Sequence, residues 1–282
     1  MCIRQTITDK IITILESGAA QGGPRWTQSQ GHGLPRNAKT GDPYRGVNVL
    51  LLWSEAAERG YSSNLWLTYK QAEAIGAQVR KGEKSVMCVF FDKVKKLAQD
   101  DQEETFYPMV KPFWLFNAAQ IDGLPESLTT PAETQTFNPV SEAEQVLAST
   151  GARIRHGFDG AFYMPGRDEI CLPNKARFTS ESNYYATALH ELGHWTGHES
   201  RLNRTFGKRF GDDAYAMEEL VAELSAAFSM GYLGMVDGTI EKHASYLDSW
   251  IKCLKADKGA IFTAASQAAK ASDFVLAACP KA

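Results

Sequence analysis

The sequence lacks the apolar run of a membrane helix: its longest, around Val47 to Trp53, is a few residues long, where a span needs about twenty. Its opening, Met-Cys-Ile-Arg-Gln-Thr, has neither the apolar stretch nor the small-residue cleavage site of a secretory signal. The expectation is a cytoplasmic protein with no membrane partner. Cysteine is sparse. Cys2, Cys88, Cys171, Cys253 and Cys279 are odd in number, scattered and without a Cys-x-x-Cys pair, which argues against a disulfide frame or a thiolate metal site. There is no Gly-x-Ser-x-Gly elbow. A phosphate loop is missing as well, since Gly76 and Gly82 stand six apart where five are needed and Glu83 fills the lysine position. Neither sign of charge dominates, with a net charge of only −3.

What is present is the composition of a folded protein, 44% hydrophobic and 22% charged, which excludes a mostly disordered chain. A length of 282 residues leads to an expectation of two domains. The near-neutral total hides an uneven distribution. Arg25 to Lys96 holds twelve Lys and Arg against six Asp and Glu, whereas Leu97 to Val140 holds one Lys against seven acids. The basic stretch is interleaved with aromatic residues, and phosphate attraction beside flat rings is the chemistry of single-strand binding. Arg25, Arg36, Lys39, Arg45, Lys70, Arg80, Lys81 and Lys84 are the expected phosphate partners, with Trp26, Tyr44 and Trp66 as stacking platforms.

Local signals place the motifs. Ile3, Ile7, Ile11 and Ile14 recur at helical spacing. Gln21 to Tyr44, rich in Gly and Pro, reads as a long loop. Thr68 to Val79 reads as a helix capped by Thr68, and Ser85 to Phe91 and Phe113 to Phe116 as strands. Gly123 to Pro139 is almost free of bulky apolar residues, and places a linker at 131–140 between domains at 1–130 and 141–282. The second half predicts a helix over 141–147, strands near 152–155, 160–164 and 169–172, and helices from Glu181 onward. The fold class is therefore α+β.

His190-Glu191-Leu192-Gly193-His194 is the strongest signal. Histidines four apart on a helix share a face and can converge on one cation, while Glu191 stays beside them, placed to accept a proton from water. A catalytic zinc takes three protein ligands and leaves one position open. Ser200 stands where the metzincin pattern needs histidine. The segment Glu218-Glu219-Leu220-Val221-Ala222-Glu223 resembles the acidic signatures of glutamate zincins, with Glu223 in place of Asp. That resemblance implies Glu219 as third metal ligand and Glu223 as the acid that orients a histidine, with Glu218 and Glu223 left as alternative ligands. Tyr184, Tyr185, His243 and Tyr246 are possible donors to a developing oxyanion, and Tyr246 is the catalytic candidate among them. Zinc is the expected cofactor, although manganese or another divalent transition metal suits the same donors.

The chain as a whole resembles the ArdC-type antirestriction proteins of conjugative plasmids and related mobile elements. The resemblance rests on Tyr44-Arg45-Gly46-Val47-Asn48, Trp66 to Ala72, Val79-Arg80-Lys81-Gly82-Glu83-Lys84, His190 to Gly197 and the Glu219 helix. It implies an N-terminal domain that binds single-stranded DNA and a C-terminal zincin-like metallopeptidase domain of the glutamate-zincin type. It further implies protection of entering plasmid DNA. The rival expectation is a cytosolic zinc metallopeptidase whose N-terminal half recruits a protein substrate and touches no DNA.

Overall fold

The computed structural model describes residues 2–19, 33–95, 106–129, 139–205, 213–235 and 243–278. In the first half the elements are α1 (Ile3–Ala19), β1 (Arg36–Asn37), α2 (Val47–Arg59), β2 (Leu65–Leu67), α3 (Tyr69–Ala74), β3 (Gln78–Val79), β4 (Val86–Lys95), β5 (Phe106–Asn117), β6 (Ile121–Asp122) and α4 (Glu126–Thr129). The second half holds α5 (Pro139–Ser149), β7 (Arg153–His156), β8 (Phe162–Met164), β9 (Glu169–Leu172), α6 (Glu181–Trp195), α7 (Asp213–Tyr232), α8 (His243–Ala256) and α9 (Ala260–Ala277). The α+β class holds in both halves.

The first half is built around a sheet in the order β1-β2-β5-β4. Its long β4–β5 pair is antiparallel, with Val86 opposite Leu115 and Phe91 opposite Val110. The apolar run at Val47 opens a helix, and Asn48 ties that helix to the sheet. The Asn48 amide donates to the Val89 carbonyl at 2.7 Å and accepts the Val89 N–H at 2.9 Å. The helix expected over 68–79 is shorter than its pattern suggested. Thr68 does cap it, in a reciprocal box with Gln71, but Gly76 takes a left-handed φ of +75°. The chain turns there, and Gln78–Val79 pair instead with Ile121–Asp122.

In the second half a sheet in the order β7-β9-β8 lies with one face on α5 and α6. Ile154, Ile170 and Leu172 enter a core with Leu189, Leu192 and Trp195. The linker expected at 131–140 falls mostly outside the described residues, and its last two, Pro139 and Val140, already belong to α5.

The larger core crosses from one half to the other. Ile7, Ile11 and Leu15 of α1 and Leu50 to Trp53 of α2 pack with Leu220, Leu224 and Phe228 of α7, Trp250 of α8 and Ile261 of α9. Helix α7 is buried from Glu218 to Gly231, because one side meets this core and Ala226, Met230 and Leu233 meet the other. A helix that is apolar nearly all round belongs in such a place. Gly231 marks the contact with the N-terminal half: a Cβ there would lie 2.6 Å from the Trp53 ring.

Two outcomes follow from this shared core. Gly231→Ala should destabilise the chain by about 1–3 kcal/mol through overpacking, measured as a lowered urea midpoint. Unfolding of the first and second halves should coincide in that titration; two separated transitions would contradict a common core.

A candidate metal centre between two helices

Helix α6 starts at a Ser180 cap, whose hydroxyl accepts the Asn183 N–H, and carries His190 and His194 one turn apart. Their Nε2 atoms lie 3.1 Å from each other. Gly193 lies between them in sequence, at the crossing with α7. A Cβ on it would lie 3.0 Å from Ala222 Cα and 3.2 Å from the Ala222 carbonyl oxygen, so no side chain fits without moving backbone. That approach carries the Glu219 carboxylate to 3.4 Å from His190 Nε2 and 3.6 Å from His194 Nε2.

Donor atoms of His190, His194 and Glu219 all lie within 4.8 Å of one another, and all three residues are buried. Around a tetrahedral ion with bonds near 2.1 Å, neighbouring ligand atoms stand about 3.4 Å apart, close to the separations seen. Two imidazole Nε2 atoms 3.1 Å apart cannot both present bare lone pairs to each other; either one ring donates an N–H to the other or a cation bridges them. The residues fit a divalent metal.

Each histidine turns its other nitrogen toward a further glutamate. His194 Nδ1 lies 3.3 Å from Glu218 Oε1. His190 Nδ1 lies 3.8 Å from Glu223 Oε2, outside hydrogen-bond reach, and has no hydrogen-bond partner among the described residues. The sequence pointed to Glu223 as the orienting acid; the structure puts Glu218 in that position for His194 and leaves Glu223 at longer range from His190. The three glutamates span an arc of about 140° on α7, which is how one helix serves both rings.

A buried arginine supports the arrangement. Arg204, 6% exposed, donates to both Glu218 oxygens at 3.0 and 2.7 Å, to the Gly193 carbonyl at 2.6 Å and to Thr196 Oγ1 at 2.8 Å. Sequence reasoning missed it. Without such partners a buried Glu218 charge would be strongly destabilising. Burial alone would raise the Glu218 carboxyl, but His194 and Arg204 hold it below the usual range. Burial opposes charge on His190 too, yet Glu219 and Glu223 beside it raise its pKa to about 10. The same contacts hold Glu219 well below the ordinary carboxylate value despite its burial. The pocket thus carries enough negative charge to retain protons when no cation neutralises it.

Glu191 is buried, and its charge helps to raise both histidines. Tyr246 approaches the site beside a second tyrosine: its hydroxyl lies 3.2 Å from that of Tyr215, and the Glu219 carboxylate is near enough to help raise the Tyr215 hydroxyl, after burial and Tyr246. Tyr184 and Tyr185 are engaged elsewhere, with His156 at 3.1 Å and Glu144 at 2.8 Å. The His243 side chain lies outside the described ones.

The N-terminal candidates divide. Arg25 and Trp26 lie outside the described residues. Trp66 is 1% exposed, enclosed by Tyr61 and the core, and offers no face for stacking. Tyr44 is half-buried against Phe113 at 6.4 Å between centroids. Arg80 is held by Glu83, Asp122 and the Ala119 carbonyl. Arg45 pairs with Asp273 of α9, and Arg36 donates to the Gly41 carbonyl. Lys39, Lys70, Lys81 and Lys84 remain exposed. The open aromatics are ones not chosen as stacking platforms: Tyr69, Phe90, Phe91 and Trp114, the last two 51% exposed. Alternation along β5 gave no sign of which ring faces outward.

A His-Glu-x-x-His helix crossed by a helix with a third, carboxylate donor and flanked by a small mixed sheet is the arrangement of a zincin-like domain. Residues 141–267 match the family described as zincin-like metallopeptidase, and residues 1–116 match the N-terminal domain of the anti-restriction factor ArdC. Crystal structures of the antirestriction ArdC protein from the R388 plasmid share the whole fold. The metal-free one is 40% identical with a TM-score of 0.84, over 99% of this chain and 98% of that one. The Mn(II)-bound one is 39% identical with a TM-score of 0.81, over 100% and 99%. The chain belongs to the ArdC antirestriction family. A DNA primase TraC of Escherichia coli is 41% identical over 97% of this chain, which spans only 27% of that protein. An uncharacterized protein of Sinorhizobium fredii is 38% identical over 97% of this chain and 91% of its own. The zincin-like match and the Mn(II)-bound relative indicate a divalent metal.

If the α6–α7 crossing sets the site, Gly193→Ala should weaken metal binding while leaving the chain folded. Glu218→Ala, which frees His194 Nδ1, should lower affinity about 10- to 100-fold. Competition against a chromophoric chelator measures both, and wild-type affinity in the pair would show that neither the crossing nor Glu218 matters.

Proposed function

We propose that this protein is an antirestriction factor that binds single-stranded DNA through its N-terminal half and carries a metal-dependent peptidase centre in its C-terminal half. The observation that carries the second part is the convergence of His190, His194 and Glu219 within 4.8 Å in a buried pocket. The first part is supported by the exposed lysines at 39, 70, 81 and 84 and by the open rings of Tyr69, Phe90, Phe91 and Trp114 in the same half. Family membership supports protection of incoming plasmid DNA as the outcome. No helix among the described residues is long and apolar enough to cross a membrane, and a cytoplasmic location suits a DNA ligand.

His190, His194 and Glu219 would hold the cation, with zinc the natural choice for this donor set and manganese a second. Bound there, a divalent ion supplies Lewis acidity, polarising a peptide carbonyl and making water easier to deprotonate. Glu191 accepts the proton of the attacking water and delivers it to the leaving amine. Glu218, backed by Arg204, keeps the His194 ring turned inward. The Tyr215–Tyr246 pair places a hydroxyl donor beside Glu219, suited to the carbonyl oxygen as it gains charge.

Glu191→Gln keeps the shape of the site and removes the base. It should retain wild-type metal content by elemental analysis and lose peptide cleavage by about 10²- to 10⁴-fold, whereas His190→Ala with His194→Ala should lose the metal. The same Glu191→Gln protein in a restriction-protection assay separates the two halves: full protection assigns the role to DNA binding, and lost protection to hydrolysis. For the N-terminal half, Lys70→Gln with Lys81→Gln should weaken oligonucleotide binding and flatten its salt dependence by about 0.7 per lost contact. Unchanged binding in that pair would favour the rival in which this half recruits a protein.

A further inference from the structure

The three-stranded sheet has a second face, opposite the core, on which the central-strand residues Glu169 and Cys171 are themselves covered. Arg153 and Arg155 of β7 lie beside Glu169 and Cys171 of β9, and Phe162 of β8 lies opposite Cys171. Alternate strand positions share a face, and the intervening Ile154, Tyr163 and Ile170 point into the core. On the outer side opens a cavity of about 560 Å³ lined by Arg153, Arg155, Arg167, Asp168, Glu169 and His198.

Charge on this face is unbalanced. Both Asp168 oxygens are occupied, by Arg201 at 3.0 and 2.5 Å and by the Tyr163 hydroxyl at 2.8 Å. Glu169 is buried and faces Arg155 at 3.4 Å. Arg153 donates to the Arg167 carbonyl at 2.6 Å, and neither Arg153 nor Arg167 makes an ion pair among the described residues. Two guanidinium groups are therefore left without a counter-charge. His198 stands at the same cavity, its Nδ1 2.8 Å from Ser200 Oγ and 3.2 Å from the Ser200 backbone nitrogen. Beside the arginines stands an open aromatic edge. Arg155 lies over Phe158 at 5.5 Å, Phe158 meets Phe162 edge-on at 5.7 Å, and Phe162 is 41% exposed.

We propose that this outer face of the peptidase half is a second binding surface for single-stranded DNA, with a backbone phosphate in the arginine cavity and a base stacked on Phe162. Planar guanidinium groups suit phosphate oxygens, and an exposed ring beside them suits a base. An acidic peptide would use the cations but would leave Phe162 without a role, so the single strand is the better fit. The choice of ligand rests on the DNA-binding reading above, while the residues are separate from it.

The test uses the full chain loaded with metal and labelled oligothymidylate titrated at several salt concentrations. Arg153→Gln with Arg167→Gln should weaken binding roughly tenfold and reduce the salt slope by about 1.4, two contacts at about 0.7 each. Phe162→Ala should cost about fivefold or more with the slope unchanged. Independently of any variant, photocrosslinking of the wild-type chain to 5-iodouracil DNA should label the peptide containing Phe158 and Phe162. Wild-type affinity and slope in the arginine pair, or no crosslink in that peptide, overturns the proposal. The Lys70→Gln and Lys81→Gln chain run in parallel separates the two sites: a loss there with none at the arginines leaves only the N-terminal one, and the reverse leaves only this one. Loss of a polyglutamate peptide with retained oligonucleotide binding would assign the surface to acidic peptides and likewise overturn the proposal.

Discussion

Everything at the metal centre depends on how closely α6 and α7 approach at Gly193 and Ala222. Two helices at ordinary separation, some 8–10 Å between axes, would hold short glutamate side chains away from the imidazoles. With glycine at the contact, Glu219 reaches both Nε2 atoms within 3.6 Å, and Glu218 reaches the far side of His194. The glycine carbonyl has a second role, as an acceptor for Arg204. One small residue inside the motif therefore sets the helix spacing and helps to fix the arginine that neutralises Glu218. The variable positions of the His-Glu-x-x-His pattern are not free in this chain.

The same helix α7 couples the centre to the rest of the molecule. Its glutamates face α6, while Leu220, Leu224 and Phe228 pack with α1 and α2. A charged stripe inside an otherwise apolar buried helix is unfavourable unless every charge is met. Here Arg204, the two histidines and a bound cation can meet it. The N-terminal half thus helps to build the wall on which the metal centre stands, and a shift of α1 or α2 would be felt at Glu219. This differs from two beads on a linker, the picture suggested by the break in composition after Gly123.

How much of this was legible in the sequence depends on what kind of signal each feature leaves. His190 and His194 were readable because metal chemistry demands residue types at fixed helical spacing, and Glu219, implied by the resemblance to glutamate zincins, lies with them. The orienting role of Glu218, which the sequence offered only as an alternative ligand, and Arg204 were not readable, because an orienting acid and its counter-ion are chosen by three-dimensional neighbours, and Arg204 lies beyond the end of α6. The N-terminal motifs were recognisable, and Thr68 was legible as a helix cap, but two DNA-binding candidates among them, Arg80 and Trp66, have structural roles. Thr68 and Gln71 build a helix cap, Asn48 clamps a strand, and Arg80 with Glu83 braces a turn. Trp66 is core. Composition registers basic and aromatic residues equally whether they face water or one another, so the charge surplus pointed to the region and not to the residues.

That distinction bears on how such a surface could read DNA. Arginines in this N-terminal half are largely spent on the protein itself, Arg45 on Asp273 and Arg80 on Glu83 and Asp122, whereas Lys39, Lys70, Lys81 and Lys84 stand in solvent. Lysine is a hydrated point charge on a flexible stem; it attracts phosphate without fixing its orientation. A surface of that kind gives affinity that depends strongly on salt and little on sequence. Under the proposed DNA-binding role such indifference would let the protein engage strands of any sequence, which a base-specific reader could not.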